Sequence, residues 1–282
     1  MAKTLKALVT MTLRSLMTLV FLASFAGLGK APAHEFWIEP QSYLLAPDAK
    51  IRADLRVGQD FNGSLIRYFK HHTERFQVAR GDTLHEVSGR IGDAPALNIP
   101  PVGEGLLIAV HQTAPERLTY REWDQFENFV RHKGYPELTE AHETRGLPRT
   151  GFHEEYQRFA KSLIAAGDGK GQDQRFGLAT EIVLLSNPYR DDLSAGLPVQ
   201  VWLEDGPKPG AQVEVFARAE DGSVSVRIYQ ADPRGIAIIP VQPGFEYLVD
   251  SVTVRPRTPV DSDTDAVWES LWASTTFAVL RP

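Results

Sequence analysis

A histidine directly follows a segment that is typical of signal-peptide cleavage. Ala31, Pro32 and Ala33 place small residues at the two positions that signal peptidase reads, and His34 comes next. Cleavage after Ala33 would give His34 a free α-amine beside its imidazole, and the two groups can chelate one metal ion. Such nitrogen donors suit Cu²⁺, Ni²⁺, Co²⁺ and Zn²⁺. The sequence therefore predicts a transition-metal site at His34, and cleavage after Ala26 is the alternative that would remove its free amine.

A terminal histidine needs further donors, and two other histidines are the best candidates. His111 ends an apolar stretch that begins at Gly105, where a side chain can emerge at the rim of a sheet. His72 lies between two expected strands and ranks second, while Glu35 and Glu39 are candidate carboxylate ligands. For each of these histidines taken alone, a surface position or a hydrogen-bonded core position is the alternative.

Motifs for the common enzyme classes are absent from the sequence. The chain has no Cys, which excludes thiol catalysis, thiolate metal sites, disulfides and a lipoprotein anchor. It has no G-x-S-x-G elbow, no Walker loop and no H-E-x-x-H pair. These observations favour a binding protein over an enzyme.

The first 33 residues have the layout of a secretory signal peptide. Lys3, Lys6 and Arg14 give a basic start, and residues 16–28 are an apolar run. That run is shorter than the roughly 20 residues that span a membrane. We therefore expect a cleaved signal peptide at 1–33, a periplasmic protein and no membrane span after processing; an uncleaved anchor is the alternative.

Charge narrows the range of partners. The whole chain has a formal net charge of −6, and the first 33 residues contribute basic residues and no acidic ones. The processed chain is therefore still more acidic, which argues against nucleic acid and anionic membranes as partners.

Two regions of short strands are expected on either side of a helical insertion. Residues 34–180 read as an N-terminal β-rich domain, in which the alternating segment 51–57 is typical of a half-buried strand. Residues 181–282 contain six or seven short strands with turns between them, which favours an immunoglobulin-like β-sandwich. The predicted fold class is therefore mainly β, with immunoglobulin-like sandwich domains and a small helical insertion.

Apolar spacing predicts three helices in the insertion, at about 121–166. Trp123, Phe126 and Phe129 lie at helical spacing, and a second short helix is expected from Pro136 through Thr144. A third helix is predicted over about 154–165, from an apolar stripe at positions 156, 159, 160, 163 and 164.

Several segments, spread over most of the chain after residue 33, resemble the secreted bacterial family called domain of unknown function 4198. They are AHEFWIEP at 33–40, RVG at 56–58, FENFVRHKG at 126–134, EYQRFAKSL at 155–163, EIVLLSNPY at 181–189, DPRG at 232–235 and WESLWASTTF at 268–277. Members of that family are described as periplasmic components of cobalt or nickel uptake systems. The resemblance implies an inner-membrane metal transporter as partner.

The leading hypothesis is a periplasmic binding protein for a divalent transition metal ion (Ni, Co or Cu) or its chelate, serving uptake or delivery, with His34, His111 and His72 as metal ligands. The alternative is a non-catalytic cell-envelope module that binds a protein or glycan partner. A third hypothesis is a copper-dependent oxidase built on His34.

Overall fold

The computed structural model describes residues 34–258 and 265–281, and the expected signal peptide at 1–33 lies outside them. The described residues belong to one compact unit. Its strands are β1 (Glu35–Pro40), β2 (Leu44–Leu45), β3 (Ile51–Gln59), β4 (Asn62–Ile66), β5 (Thr73–Arg80), β6 (Thr83–Glu86), β7 (Leu97–Ile99), β8 (Gly105–Thr113), β9 (Glu116–Tyr120), β10 (Phe152–Ala166), β11 (Thr180–Leu184), β12 (Leu197–Leu203), β13 (Gly206–Pro207), β14 (Gln212–Arg218), β15 (Val224–Gln230), β16 (Ile236–Ile239), β17 (Phe245–Pro256) and β18 (Ala266–Val279). Its helices are α1 (Trp123–His132) and α2 (Leu138–Thr144), and a 3₁₀ turn covers Lys70–His72.

Three β layers form the body of the molecule. The central sheet has ten strands in the order β15-β14-β17-β18-β10-β8-β5-β6, with β2 and β9 also paired to β10. One four-stranded sheet contains β1, β3, β4 and β7, and another contains β11, β12, β13 and β16. The mainly β sandwich with a small helical segment confirms the expected immunoglobulin-like fold class.

Strand β8 shows how the central sheet is covered on both faces. Leu106 and Ile108 pack into the core under the β11–β12 sheet, while Leu107 and Ala109 pack into the core under the β1–β3 sheet. Successive side chains of a strand point to opposite faces, so this alternation requires an apolar layer on each side. A continuous apolar run such as 105–110 is the expected sequence of such a strand.

The third helix predicted at about 154–165 is wrong, because this segment is the strand β10. Its second half is buried on both faces: Phe159 and Leu163 enter one core, and Ala160 and Ile164 enter the other. A strand that is apolar on both faces places apolar residues at i, i+1, i+4 and i+5, which also satisfies a helical stripe. The helical part of the insertion therefore ends at Thr144 instead of about 166, while the two earlier helices are confirmed.

The expected boundary at 180/181 falls just inside β11, after its first residue, and strands from both sides of it share the central sheet. Strand β10 pairs in parallel with β18, from His153↔Ala266 to Ser162↔Thr276. The hydroxyls of Ser274 and Thr276 in β18 also donate to the main-chain carbonyls of Phe36 and Ile38 in β1. In the described part of the chain, no helix is long and apolar enough to cross a membrane.

Candidate functional site

A cavity of about 300 Å³ lies between the β1–β3–β4 sheet and the central sheet. Its apolar lining includes Phe36 and Val57, and its chemically active lining is His72, His111, Glu116, Arg67 and Arg158. Sheet pairing explains this grouping, because β8 ends and β5 and β9 begin beside the middle of β10, opposite β1 and β3. Two of the three predicted metal ligands, His72 and His111, therefore line one cavity.

His111 is buried, with 2% of its surface exposed. Its ring packs against the rings of Phe36 and Phe76, with centroids 5.3 and 4.9 Å away. Burial lowers the pKa of His111 to about 3, so the imidazole is neutral at physiological pH. A neutral imidazole is the form that binds metal ions.

Hydrogen bonding around His111 favours one tautomer of its ring. The Thr73 hydroxyl donates its one hydrogen to the Phe69 carbonyl (3.2 Å), and its oxygen lies 3.2 Å from His111 Nε2. While Thr73 makes that bond it accepts from His111, an arrangement that places the proton on Nε2 and leaves a lone pair on Nδ1. His111 Nδ1 is buried and has no hydrogen-bond partner among the described residues. A buried acceptor without a donor is a costly arrangement that a ligand would relieve.

His72 lies at the rim of the cavity, in the 3₁₀ turn before β5. Its Nδ1 is 3.3 Å from Glu116 Oε1, and its side chain is about half exposed. The second oxygen of Glu116 accepts a hydrogen bond of 2.5 Å from the Tyr156 hydroxyl. Glu116 therefore orients His72 and leaves Nε2 of that ring as its available donor atom.

His34 is half-buried and does not line the cavity. Phe36, two residues later, does line it. The two carboxylates suggested as additional ligands are held by cations instead. Glu39 pairs with Arg56 (2.5 Å) and Arg218 (2.7 Å), and Glu35 pairs with a buried lysine. Glu35 and Glu39 therefore do not join the two histidines.

A second cluster surrounds the Lys133 ammonium group, which is buried directly after α1. Lys133 Nζ lies 3.1 Å from Glu35 Oε1 and 3.2 Å from Asp250 Oδ2, and it also contacts Glu214. Within residues 34–258 and 265–281, these carboxylates are the one group of three acidic or histidine side chains whose ligand atoms lie within 4.8 Å of each other. The ammonium group already supplies the positive charge at its centre.

Burial and charge shape the titration of this cluster. Burial raises the pKa of Asp250 to about 7 and also raises that of Glu35, against the attraction of Lys133. Burial opposes the charge of Lys133, but the three carboxylates outweigh it and raise the pKa of Lys133 well above its usual value. Burial also opposes the charge of Glu214, but His132 at 2.9 Å and Lys133 lower its pKa. No local pattern in the sequence predicts this cluster, because its members are far apart in the chain.

The fold and the cavity define a β-sandwich protein with a buried, neutral histidine at an internal binding space. The model of the family described as "Domain of unknown function (DUF4198)" matches residues 31–255. That match covers most of the sequence, and the chain belongs to this family.

Other comparisons add little to this assignment. No curated protein matches the chain. A crystal structure titled as a tetra-tandem repeat in the extending region of a large adhesion protein shares 12% identity, covers 86% of this chain and 49% of its own, and has a TM-score of 0.21. The D0-D1 domain of intimin shares 12% identity, covers 86% of this chain and 97% of its own, and has a TM-score of 0.19. This chain thus spans about half the length of the first structure.

Proposed function

We propose that this chain is an exported, periplasmic binding protein for a divalent transition metal ion of the Ni, Co or Cu class, or for its chelate. It would deliver this cargo to an inner-membrane transporter. The observation that carries the proposal is the buried imidazole of His111, whose Nδ1 has no partner among the described residues, in the lining of a cavity that His72 also lines. Imidazole nitrogen is a preferred donor for these metals.

The residues present fit a weakly held, exchangeable metal better than a permanent one. Two imidazoles supply two donor atoms, and the rest of the coordination sphere is left to water, to the cargo's own chelator or to the His34 terminus. Structural metal sites usually close with four protein ligands. An open site of this kind suits a protein that must release its metal.

Metal titration of the processed protein by calorimetry tests the proposal. Replacement of His111 or His72 by Gln should weaken Ni²⁺, Co²⁺ or Cu²⁺ binding by about tenfold or more, since loss of even an indirect metal contact typically costs 10–100-fold. The matched control is His153→Gln, because His153 contacts Thr119 (2.9 Å) and does not line the cavity. Equal binding by all three variants and the parent protein would refute the site.

The contribution of His34 needs a separate experiment. Mass spectrometry of the exported protein gives its first residue, and a variant with one Gly added before His34 removes the chelating amine. Weaker metal binding by the extended form would assign His34 to the site. Identical binding by both forms would restrict the site to the cavity histidines.

The second candidate function is a non-catalytic envelope module, and one surface favours it. Strand β15 is an edge of the central sheet, and its side chains Val226 and Ile228 are exposed. An open, apolar edge strand can pair with a strand of another protein. Metal-independent capture of one partner, lost in Val226→Lys and Ile228→Lys, would favour this candidate over metal binding.

A further inference from the structure

Arg158 lines the same cavity as His72 and His111. Arg158 lies on β10, where its main-chain N–H donates to the Thr113 hydroxyl at 3.0 Å. Its guanidinium carbon lies 4.6 Å from the ring centroid of Tyr156 and 6.0 Å from that of Phe36. These aromatic contacts fix the position of the cation at the cavity wall.

No carboxylate lies within ion-pair distance of this guanidinium in residues 34–258 and 265–281. Arg158 forms no ion pair there, and its buried Nε–H has no acceptor. The nearest acidic side chains are already engaged: Glu116 by His72 and Tyr156, and Glu154 by Tyr120 and Ser270. Burial raises the pKa of Glu154 and outweighs the hydrogen bonds from Ser270 and Tyr120 and the attraction of Arg158, which favours the neutral form of Glu154.

The charges around the cavity favour an anionic ligand. Arg67 lines the same cavity, and one of its nitrogens donates to the Gly92 carbonyl at 3.0 Å. Two arginines therefore face one carboxylate, Glu116, although the protein as a whole is acidic. Arginine pairs with carboxylates through two parallel hydrogen bonds, which gives geometric selectivity as well as affinity.

We propose that this cavity binds a small carboxylate-bearing ligand, with Arg158 as the carboxylate-binding residue. The volume of about 300 Å³ is at the lower end of the range for small-molecule sites, which suits an organic acid with a few carboxylates. The shared chemistry has two sources: a free organic acid, or a carboxylate chelator that carries a metal ion. The second source rests on the proposed function, because the metal would then meet the lone pair of His111.

Calorimetry on the processed protein with succinate, citrate, Ni²⁺ alone and equimolar nickel citrate separates these sources. In Arg158→Gln, affinity for the carboxylate probes should fall by about tenfold or more, because one charged two-point contact is lost. Arg158→Lys keeps the charge without the planar geometry and should give an intermediate loss. The matched control is Arg90→Gln, which changes the same charge at a side chain that is 94% exposed and outside the cavity.

Each outcome separates the two proposals. Binding of succinate or citrate that is equal in Arg158→Gln and the parent protein, or no binding of any carboxylate probe, would overturn the carboxylate site. Carboxylate binding by a protein that ignores Ni²⁺ would keep this inference and refute the metal function. A tighter complex with nickel citrate than with either component, weakened by both Arg158→Gln and His111→Gln, would support both. Thermal unfolding verifies that each variant is folded. If Arg158→Gln does not fold, the comparison of Arg158→Lys with the parent protein tests the proposal.

Discussion

Replacement of Lys133 by Met should destabilise the protein by about 3–5 kcal/mol at pH 7.5, the cost of leaving a buried charge without its partner. Lys133 is 2% exposed, and three carboxylates that are at most 3% exposed surround it. The loss of stability stays near the cost of one unpaired carboxylate, because the other two carboxylates are partly compensated. Asp250 has a pKa of about 7 and is partly protonated, and Glu214 keeps its contact with His132, so Glu35 is the carboxylate left alone.

The pH dependence of this variant follows from the same groups. A carboxyl whose pKa is raised in the folded state binds its proton more tightly there, so its stabilising contribution is lost as pH rises toward that pKa. The attraction of Lys133 holds the pKa values of Asp250 and Glu35 down, and its removal would raise them further. The stability deficit should therefore be smaller at pH 5 than at pH 7.5.

Urea denaturation of the parent protein and the variant at both pH values measures this deficit. Lys170→Met is the control, because Lys170 is 71% exposed and its loss should change the free energy of unfolding by less than about 0.5 kcal/mol. A deficit below about 1 kcal/mol at pH 7.5, or one that does not shrink at pH 5, would contradict the assignment of Lys133 as the cation that neutralises this cluster.

Three further predictions concern other buried polar groups. The imidazole of His111 should stay neutral, with its proton on Nε2, from pH 8 down to about pH 4; ¹⁵N NMR of the ring would show this, and a transition near pH 6.5 would contradict it. Because its folded pKa is depressed, His111 should cost stability progressively as pH falls below about 6.5, where the unfolded chain gains a proton that the folded protein excludes. Lys161→Met should lower the free energy of unfolding, measured in urea, by about 3 kcal/mol, which is less than Lys133→Met. The loss is smaller because its partners Asp173 and Glu181 also accept main-chain hydrogen bonds from Leu184 and Phe176. A larger loss than in Lys133→Met would be inconsistent with this reasoning. Trp268→Phe should lower the free energy of unfolding by about 1–3 kcal/mol in the same assay, because it removes the 2.9 Å hydrogen bond that Trp268 donates to buried His142 Nδ1. An unchanged unfolding midpoint would show that this bond is dispensable.

Local patterns in the sequence were sufficient to predict the strands and helices whose apolar residues repeat regularly over a short range. The apolar run from Gly105 to His111 is a strand because every residue in it is buried, and its end carries a histidine into the cavity, as expected. The helix α1 follows from Phe126, Phe129 and Val130, which form one buried face. In both cases the apolar pattern predicts the element because residues close together in the sequence are buried together.

Long-range pairing explains the rest. Strand β10 satisfied a helical pattern because two different cores cover its faces, and only its pairing with β8 and β18 distinguishes the alternatives. Arg158 was missed as a consequence, since the strand places it beside Tyr156 at the cavity. Lys133 and its carboxylates carry no local signal, because each is an ordinary charged residue until the sheets bring them together.

The position of β18 in the central sheet makes folding depend on a segment near the C-terminal end of this sequence. It lies between β17 and β10, so a chain that stops before Ala266 leaves the ten-stranded sheet in two halves with four open edges instead of two. Contacts between such distant segments form slowly, because a long loop must close before they gain any energy. The protein should therefore remain unfolded until β18 has been synthesised, and truncations before β18 should aggregate instead of forming a smaller stable domain.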